Sequence, residues 1–319
     1  MSLTIDPQVF AEDAVSEETR RLNAWILSTI EALPDTWSVS PAVIRDRRAR
    51  GLGPFPMEPK CERAEVIEIP GPRGPVALRI IRPLAAARGV YLHLHGGGWT
   101  LNAADQQDGR LQRIADQAGL AVVSVDYRLA PEHPYPQGPD DCEAAALWLV
   151  REARALFGTD ALAIGGESAG AHLSVVTLLR LRDRHGLLPF RAANLAAGCY
   201  DLALTPSARR FGTARLVLNT RDIEMFVRHF LLHGGDRADT DVSPIHADLR
   251  GLPRALFSVG TRDALLDDSL FMAARWSAAG NAADLAVYPG GVHVFQSFPS
   301  ALAEACLARM DEFLADAMA

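Results

Sequence analysis

Residues 161–176 read Ala161-Leu162-Ala163-Ile164-Gly165-Gly166-Glu167-Ser168-Ala169-Gly170-Ala171-His172-Leu173-Ser174-Val175-Val176. The first five are short, apolar and bounded by glycine, which suits a strand buried on both faces of a parallel sheet. From Ala171 onward, Leu173, Val176 and Leu179 recur at helical spacing. A strand, a tight turn and a helix with Ser168 at the apex is the context in which G-x-S-x-G forms a nucleophile elbow. Gly166 and Gly170 fit that bend, because the strand and helix backbones nearly touch beside the serine. A simple Gly-Ser turn would give the same letters, so the rest of the chain has to decide.

Around this stretch, strand and helix signals alternate. Glu65–Ile69 and Val76–Ile81 read as an antiparallel hairpin at one sheet edge, joined across Pro70-Gly71-Pro72-Arg73-Gly74-Pro75. Strands follow at Val90–Leu94, Ala121–Val125, Ala161–Gly165, Asn194–Gly198, Ala255–Val259 and Asp284–Tyr288. Helices fall at Gln107–Ala118, Asp140–Phe157, Leu266–Ala279 and Ala301–Ala317. The pattern predicts an α/β fold whose eight-stranded, mostly parallel sheet is flanked by helices.

Two regions break the rhythm. Residues 1–33 carry a helical pattern (Leu22, Trp25, Ile26, Ile30) that stops at Pro34. Residues 34–60 read as a helix fragment and an irregular connector broken by Pro41, Gly51, Gly53, Pro54, Pro56 and Pro59. Residues 202–240 show no strand signal but hold an amphipathic helix near Ile223–Leu232. We expect 1–50 and 202–240 to meet as one helical cap over the sheet's C-terminal edge, where open α/β sheets bind ligands. The sheet domain then comprises 51–201 and 241–319.

Composition narrows the classes. Hydrophobic residues make up 49% of the 319 and charged residues 22%, the balance of a globular protein with a large core. A net charge of −7 without a basic block disfavours nucleic acid as a partner. The four cysteines, Cys61, Cys142, Cys199 and Cys306, form no C-x-x-C pair and read as thiols in a reducing compartment. No basic-then-apolar leader precedes Glu18 and no apolar run approaches the ~20 residues of a membrane span, so a soluble, cytoplasmic protein is expected.

If Ser168 is a nucleophile, an acid and then a histidine should follow it in chain order. Ala255–Val259 runs into Gly260-Thr261-Arg262-Asp263, which puts Asp263 in the loop after a late strand. Asp267 and Asp268 are rivals, read as first-turn carboxylates of the next helix. Of nine histidines, six lie downstream of Ser168, and only His293, in Pro289-Gly290-Gly291-Val292-His293, follows the last strand. His172 sits one turn into the elbow helix, facing packing or the rim of the site; His229, His233 and His246 read as satisfied or solvated.

Oxyanion donors should be the N–H of Ala169 and others from the loop after the third strand, occupied by His95-Gly96-Gly97-Gly98. A phosphate cradle would call for a G-x-x-x-x-G-K-[ST] or G-x-G-x-x-G signature, and a dinucleotide site for the latter; neither is present. His93 and His95 alternate along one strand without a third ligand at metal spacing, so no metal is assigned. His95 reads as a brace for its own loop.

His95-Gly96-Gly97-Gly98-Trp99, the run Asp126 to Pro136, Gly166-Glu167-Ser168-Ala169-Gly170, Asp263-Ala264-Leu265-Leu266-Asp267 and His293 together resemble the hormone-sensitive-lipase family of bacterial esterases (family IV), over roughly residues 60–317. The resemblance implies an α/β-hydrolase fold with a helical cap and hydrolysis of short- to medium-chain carboxylic esters, with no cofactor. Gly97, Gly98 and Ala169 are then the oxyanion donors, and Ser168, Asp263 and His293 the catalytic triad. His95, Gly96, Gly166, Glu167 and Gly170 support the motifs. Residues 126–136 brace the elbow and oxyanion loop.

Two departures stand out. Ala171-His172 replaces the Gly-Asn of many relatives, and Val294 follows the histidine where glycine is common. We place Trp99, His172, Phe226 and Val294 in the substrate pocket, with Trp25 and Phe230 as further aromatic candidates. The partner is a small-molecule ester, and the resemblance implies pairing of two copies through the sheet edge near 284–288. The same triad would also attack a lactone, amide or carbamate. A ligand-binding receptor on this fold is disfavoured, because such proteins typically lack the histidine.

Overall fold

The computed structural model describes residues 4–55, 57 and 59–319; Pro56, one of the expected breakers, lies outside them. Two helices come first, α1 (Glu17–Glu31) and α2 (Pro41–Ala49), and then β1 (Glu65–Ile69), β2 (Val76–Ile81) and β3 (Gly89–Leu94). Next are α3 (Asp108–Arg113, continued by a π-helical turn Ile114–Ala118), β4 (Leu120–Asp126), α4 (Gln137–Phe157), β5 (Leu162–Glu167), α5 (Ala169–His185) and β6 (Phe190–Ala196). The remainder is α6 (Pro206–Arg210), α7 (Thr220–Phe230), β7 (Arg254–Arg262), α8 (Leu266–Ala278), β8 (Ala283–Val292) and α9 (Ala301–Ala317).

The eight strands form one sheet in the order β1-β2-β4-β3-β5-β6-β7-β8. Only the β1–β2 and β2–β4 pairings are antiparallel; β3 pairs with β4 and β5 in parallel, and β6, β7 and β8 continue in that sense. The central strands are buried on both faces, so each supplies two cores. Val90, Leu92, Leu94, Ile164 and Phe257 pack beneath α4, α5 and α8. Tyr91, Val122, Ala163 and Leu256 pack on the other face against α3 and α9, through Leu111, Ile114, Met310 and Phe313. Helix α5 is buried at every residue from Ala169 to Leu181, the mark of a helix enclosed on all sides.

Two strands sit differently from the sequence expectation. β6 covers Phe190–Ala196 rather than Asn194–Gly198. β8 runs on through Pro289-Gly290-Gly291-Val292, which the sequence reads as a turn. The register between β7 and β8 shifts at Gly260/Arg262, and a Cβ on Gly260 would stand 2.0 Å from the Gly291 carbonyl oxygen. The glycines there serve a close approach of two strands across a bulge.

The helical regions outside the rhythm make contact. Trp37 packs edge-on against Phe226 of α7 at 5.0 Å between ring centroids, and its indole N–H donates to Asp222 at 2.8 Å. Leu204, Ala208, Leu218, Ile223, Val227 and Phe230 of the 202–240 segment join the core under α4, α5 and α8. Residues Pro7–Phe10 pack against the edge strand β8. Among the described residues no helix is long and apolar enough to cross a membrane.

Candidate active site

The geometry begins at the elbow. β5 pairs with β3 so that Gly166 lies beside Leu94, and a Cβ on Gly166 or on Gly170 would stand 1.9 or 1.8 Å from the Leu94 carbonyl oxygen. Both positions exclude any side chain. Ser168 between them adopts φ 56°, ψ −121°, a region that non-glycine residues rarely occupy. Its N–H donates to the Ala196 carbonyl at 2.9 Å, and its own carbonyl accepts from the His172 N–H at 3.1 Å. These bonds hold a half-exposed hydroxyl at the mouth of the sheet.

The structure brings Ser168, Asp263 and His293 together across 125 residues of chain. Asp263 follows β7 directly and His293 follows β8 directly. His293 Nε2 lies 2.9 Å from Ser168 Oγ, and His293 Nδ1 lies 3.0 Å from both carboxylate oxygens of Asp263. Asp263 and His293 are buried at 3% and 5% exposure, so solvent does not compete for this chain of bonds. Asp263 Oδ1 also accepts the Leu265 N–H at 2.8 Å.

The rivals of Asp263 stand in the first turn of α8, as the sequence reading has them, and are engaged elsewhere. Asp268 is fully buried and accepts from the N–H groups of Tyr200 and Asp201 and from the Thr205 hydroxyl. Burial pushes its carboxyl up to about 7. Asp267 accepts from the Ser207 N–H. Both anchor the 199–207 chain to α8.

Facing the serine is the His95–Gly98 loop. Gly97 and Gly98 have φ +111° and +60°, and a Cβ on them would stand 2.3 Å from the Leu101 carbonyl oxygen and 2.2 Å from the Phe226 ring. Among the described residues the N–H groups of Gly97, Gly98 and Ala169 meet no acceptor in the chain. Glu167 fixes the head of the loop, accepting from the Gly96 N–H and the Gln107 side-chain amide, with His93 Nε2 at 3.2 Å. His95 stacks on Tyr127 at 4.2 Å between ring centroids, and its Nδ1 lies 2.8 Å from the Gly96 carbonyl oxygen. Burial lowers the imidazole's pKa below its ordinary value.

The 126–136 run ties the same loop from behind. The Tyr127 hydroxyl donates to the His95 carbonyl at 2.6 Å, and the Ala130 N–H donates to the Trp99 carbonyl at 2.9 Å. Sequence reasoning missed Gln107, whose only signal is its place at the start of α3, and Arg45 of α2, which donates to the Thr100 carbonyl at 2.8 Å.

The pocket residues divide. Phe226 and Val294 are half-buried beside the site. Trp25, at 47% exposure, packs on Phe55 and Phe298. His172 is a correction: at 0% exposure, with both ring nitrogens bonded to this chain, it does not line a pocket. Trp99 and Phe230, at 3% and 2%, stack on each other behind the His95–Gly98 loop.

Comparison with known proteins shows the family. Residues 91–297 match a family described as having the alpha/beta hydrolase fold. The chain belongs to the hormone-sensitive-lipase family of α/β-hydrolase esterases. It is 37% identical over 238 residues to the carboxylic ester hydrolase LipN of Mycobacterium tuberculosis, a match spanning 72% of this chain and 63% of LipN. The esterase of the archaeon Pyrobaculum calidifontis superposes with a TM-score of 0.85 at 28% identity, covering 96% of this chain and 99% of that one. A bacterial esterase of the hormone-sensitive lipase family superposes with a TM-score of 0.81 at 31% identity, covering 96% and 99%.

Proposed function

We propose that this esterase hydrolyses carboxylic esters of short to medium acyl chain through an acyl-enzyme on Ser168. Ser168 Oγ attacks the ester carbonyl while His293 Nε2 takes its proton, and Asp263 holds the imidazole by Nδ1–H and stabilises the imidazolium. The N–H groups of Gly97, Gly98 and Ala169 receive the negative oxygen of the tetrahedral intermediate. The alcohol leaves with the proton from His293. Water then attacks the acyl carbonyl, His293 again taking the proton, and the acid is released.

The observation that carries this reading is the bonded chain Asp263–His293–Ser168, together with three N–H groups, those of Gly97, Gly98 and Ala169, that meet no acceptor among the described residues. The Phe226 ring over Gly98 limits the room for a long chain on that side. The helices of 1–50 and 202–240, joined through Trp37 and Phe226, form the cap in this reading. The test is hydrolysis of p-nitrophenyl esters from acetyl to palmitoyl with Ser168→Ala alongside. The expected result is a maximum at short or medium chains and a loss of at least about 10⁴-fold in kcat for the variant. Activity surviving in Ser168→Ala would remove the serine from its role.

A further inference from the structure

We infer that His172 is a positioning residue that sets the oxyanion loop through the Trp99 indole and ties that loop to the end of the 202–240 segment. The inference rests on reading Gly97 and Gly98 as oxyanion donors. Its basis is the two-sided engagement of one buried imidazole. Trp99 Nε1–H, which can only donate, lies 3.1 Å from His172 Nδ1. The Val242 carbonyl, which can only accept, lies 2.8 Å from His172 Nε2. These partners fix the tautomer: Nδ1 bare, Nε2 protonated, the ring neutral. The charged form would turn an N–H against the indole N–H. Burial in the core favours the neutral form and lowers this histidine to about 4, with Asp241 raising it and Arg180 lowering it further.

Both ends of the relay are anchored. Trp99 follows Gly98 directly, adopts φ 56°, stacks on Phe230 at 4.7 Å and accepts through its carbonyl from Ala130. Val242 follows Asp241, which Arg180 of α5 grips with two bonds and the Tyr135 hydroxyl with a third. His172 itself stands four residues beyond Ser168 on the elbow helix. One ring therefore connects the nucleophile's helix, the loop carrying the oxyanion donors and the chain returning from the cap region. Without this bond the Trp99 ring keeps only its stacking on Phe230, and the backbone that follows Gly98 loses one of its anchors.

Shorter and longer amides separate the two arms. The amide of His172→Asn reaches about where Nδ1 stands and can accept from Trp99. The amide of His172→Gln reaches about where Nε2 stands and can donate to Val242, leaving the indole unpaired. Trp99→Phe deletes the indole donor while keeping an aromatic ring, at the cost of some buried volume. Steady-state hydrolysis of p-nitrophenyl butyrate is measured for all three, together with inhibition by an alkyl trifluoromethyl ketone, which forms an oxyanion on the active-site serine.

The expected result is a fall in kcat of about 10- to 100-fold for His172→Gln and Trp99→Phe, less than outright loss of a donor. KM should stay within about twofold, and the ketone should weaken by the same factor as kcat. His172→Asn should recover most of kcat, and the double variant Trp99→Phe/His172→Gln should be no worse than its worse parent. Wild-type kcat in His172→Gln and Trp99→Phe would overturn the inference, as would equal losses in Asn and Gln that follow melting temperature. If instead the wild type lacks Ser168-dependent hydrolysis, the functional reading itself fails.

Discussion

Val294 shows how much a single residue can hold in place. It follows His293 with φ 49°, ψ 38°, the left-handed region that disfavours a β-branched side chain. That conformation is one glycine adopts freely, a physical preference that the sequence alone does not show. Val294→Gly should relieve about 1–2 kcal/mol of strain, offset in part by glycine's greater unfolded-state entropy, so urea unfolding should show a small net gain in stability. The same change loosens the backbone that holds His293 against Ser168, and kcat should fall several-fold while KM holds. A loss of stability on Val294→Gly would mean that the valine's packing outweighs its backbone cost. Ser168, also at positive φ, is held more rigidly still, because Gly166 and Gly170 let the Leu94 backbone press against the turn.

At the scale of elements, the buried ion cluster on α5 joins pieces far apart in sequence. Arg180, with its side chain 2% exposed, contacts Asp140 and Glu143 of α4 and Asp241, the residue just after the 202–240 segment. Arg180→Met would strand three carboxylates around an apolar side chain, and unfolding should become easier by about 3–5 kcal/mol in urea titration. A change within 1 kcal/mol would show that Arg184 and His185, which also reach Glu143, take over the charge. Sequence reading recovered most elements because strands buried on both faces are continuous apolar runs, and because α4, α8 and α9 keep helical spacing. It misplaced β6 since Asn194 lies in mid-strand, a polar residue where the apolar run was expected. It ended β8 early since Pro289-Gly290-Gly291 carries turn chemistry. There the proline is tolerated on an edge strand and the glycines answer a neighbouring backbone, neither of which a single segment reveals. That Ser168, Asp263 and His293 come together was legible because chain order and strand ends constrain where they lie. The environment of His172 was not, because its partners lie 73 and 70 residues away.

Across the whole molecule, two buried groups pull the pH dependence of stability in opposite directions. His172 ionises at about 4 in the native state against 6.5 in the unfolded chain, so the unfolded state binds more protons between these values and stability is lost as pH falls through them. Asp268 moves from 3.8 up to about 7, so the native state binds more protons there and stability is lost as pH rises. The two contributions, about 3 and up to about 4 kcal/mol, largely cancel from pH 4 to 6.5. Chemical denaturation across that range should show His172→Asn gaining on the wild type as pH falls and Asp268→Asn gaining as pH rises. Parallel profiles for all three proteins would refute both assignments. A last consequence follows from Gly290, where φ is +74° and the space a Cβ would fill is occupied by Val15 and Thr19, while the Asn23 amide donates to the Gly290 carbonyl at 2.8 Å. Residues 15–23 thus seat on the end of β8 that leads into His293, so a segment made early is completed only by one made late. During synthesis Ser168 emerges well before His293, and the bonds that join the two wait until the last strand is released and clasped.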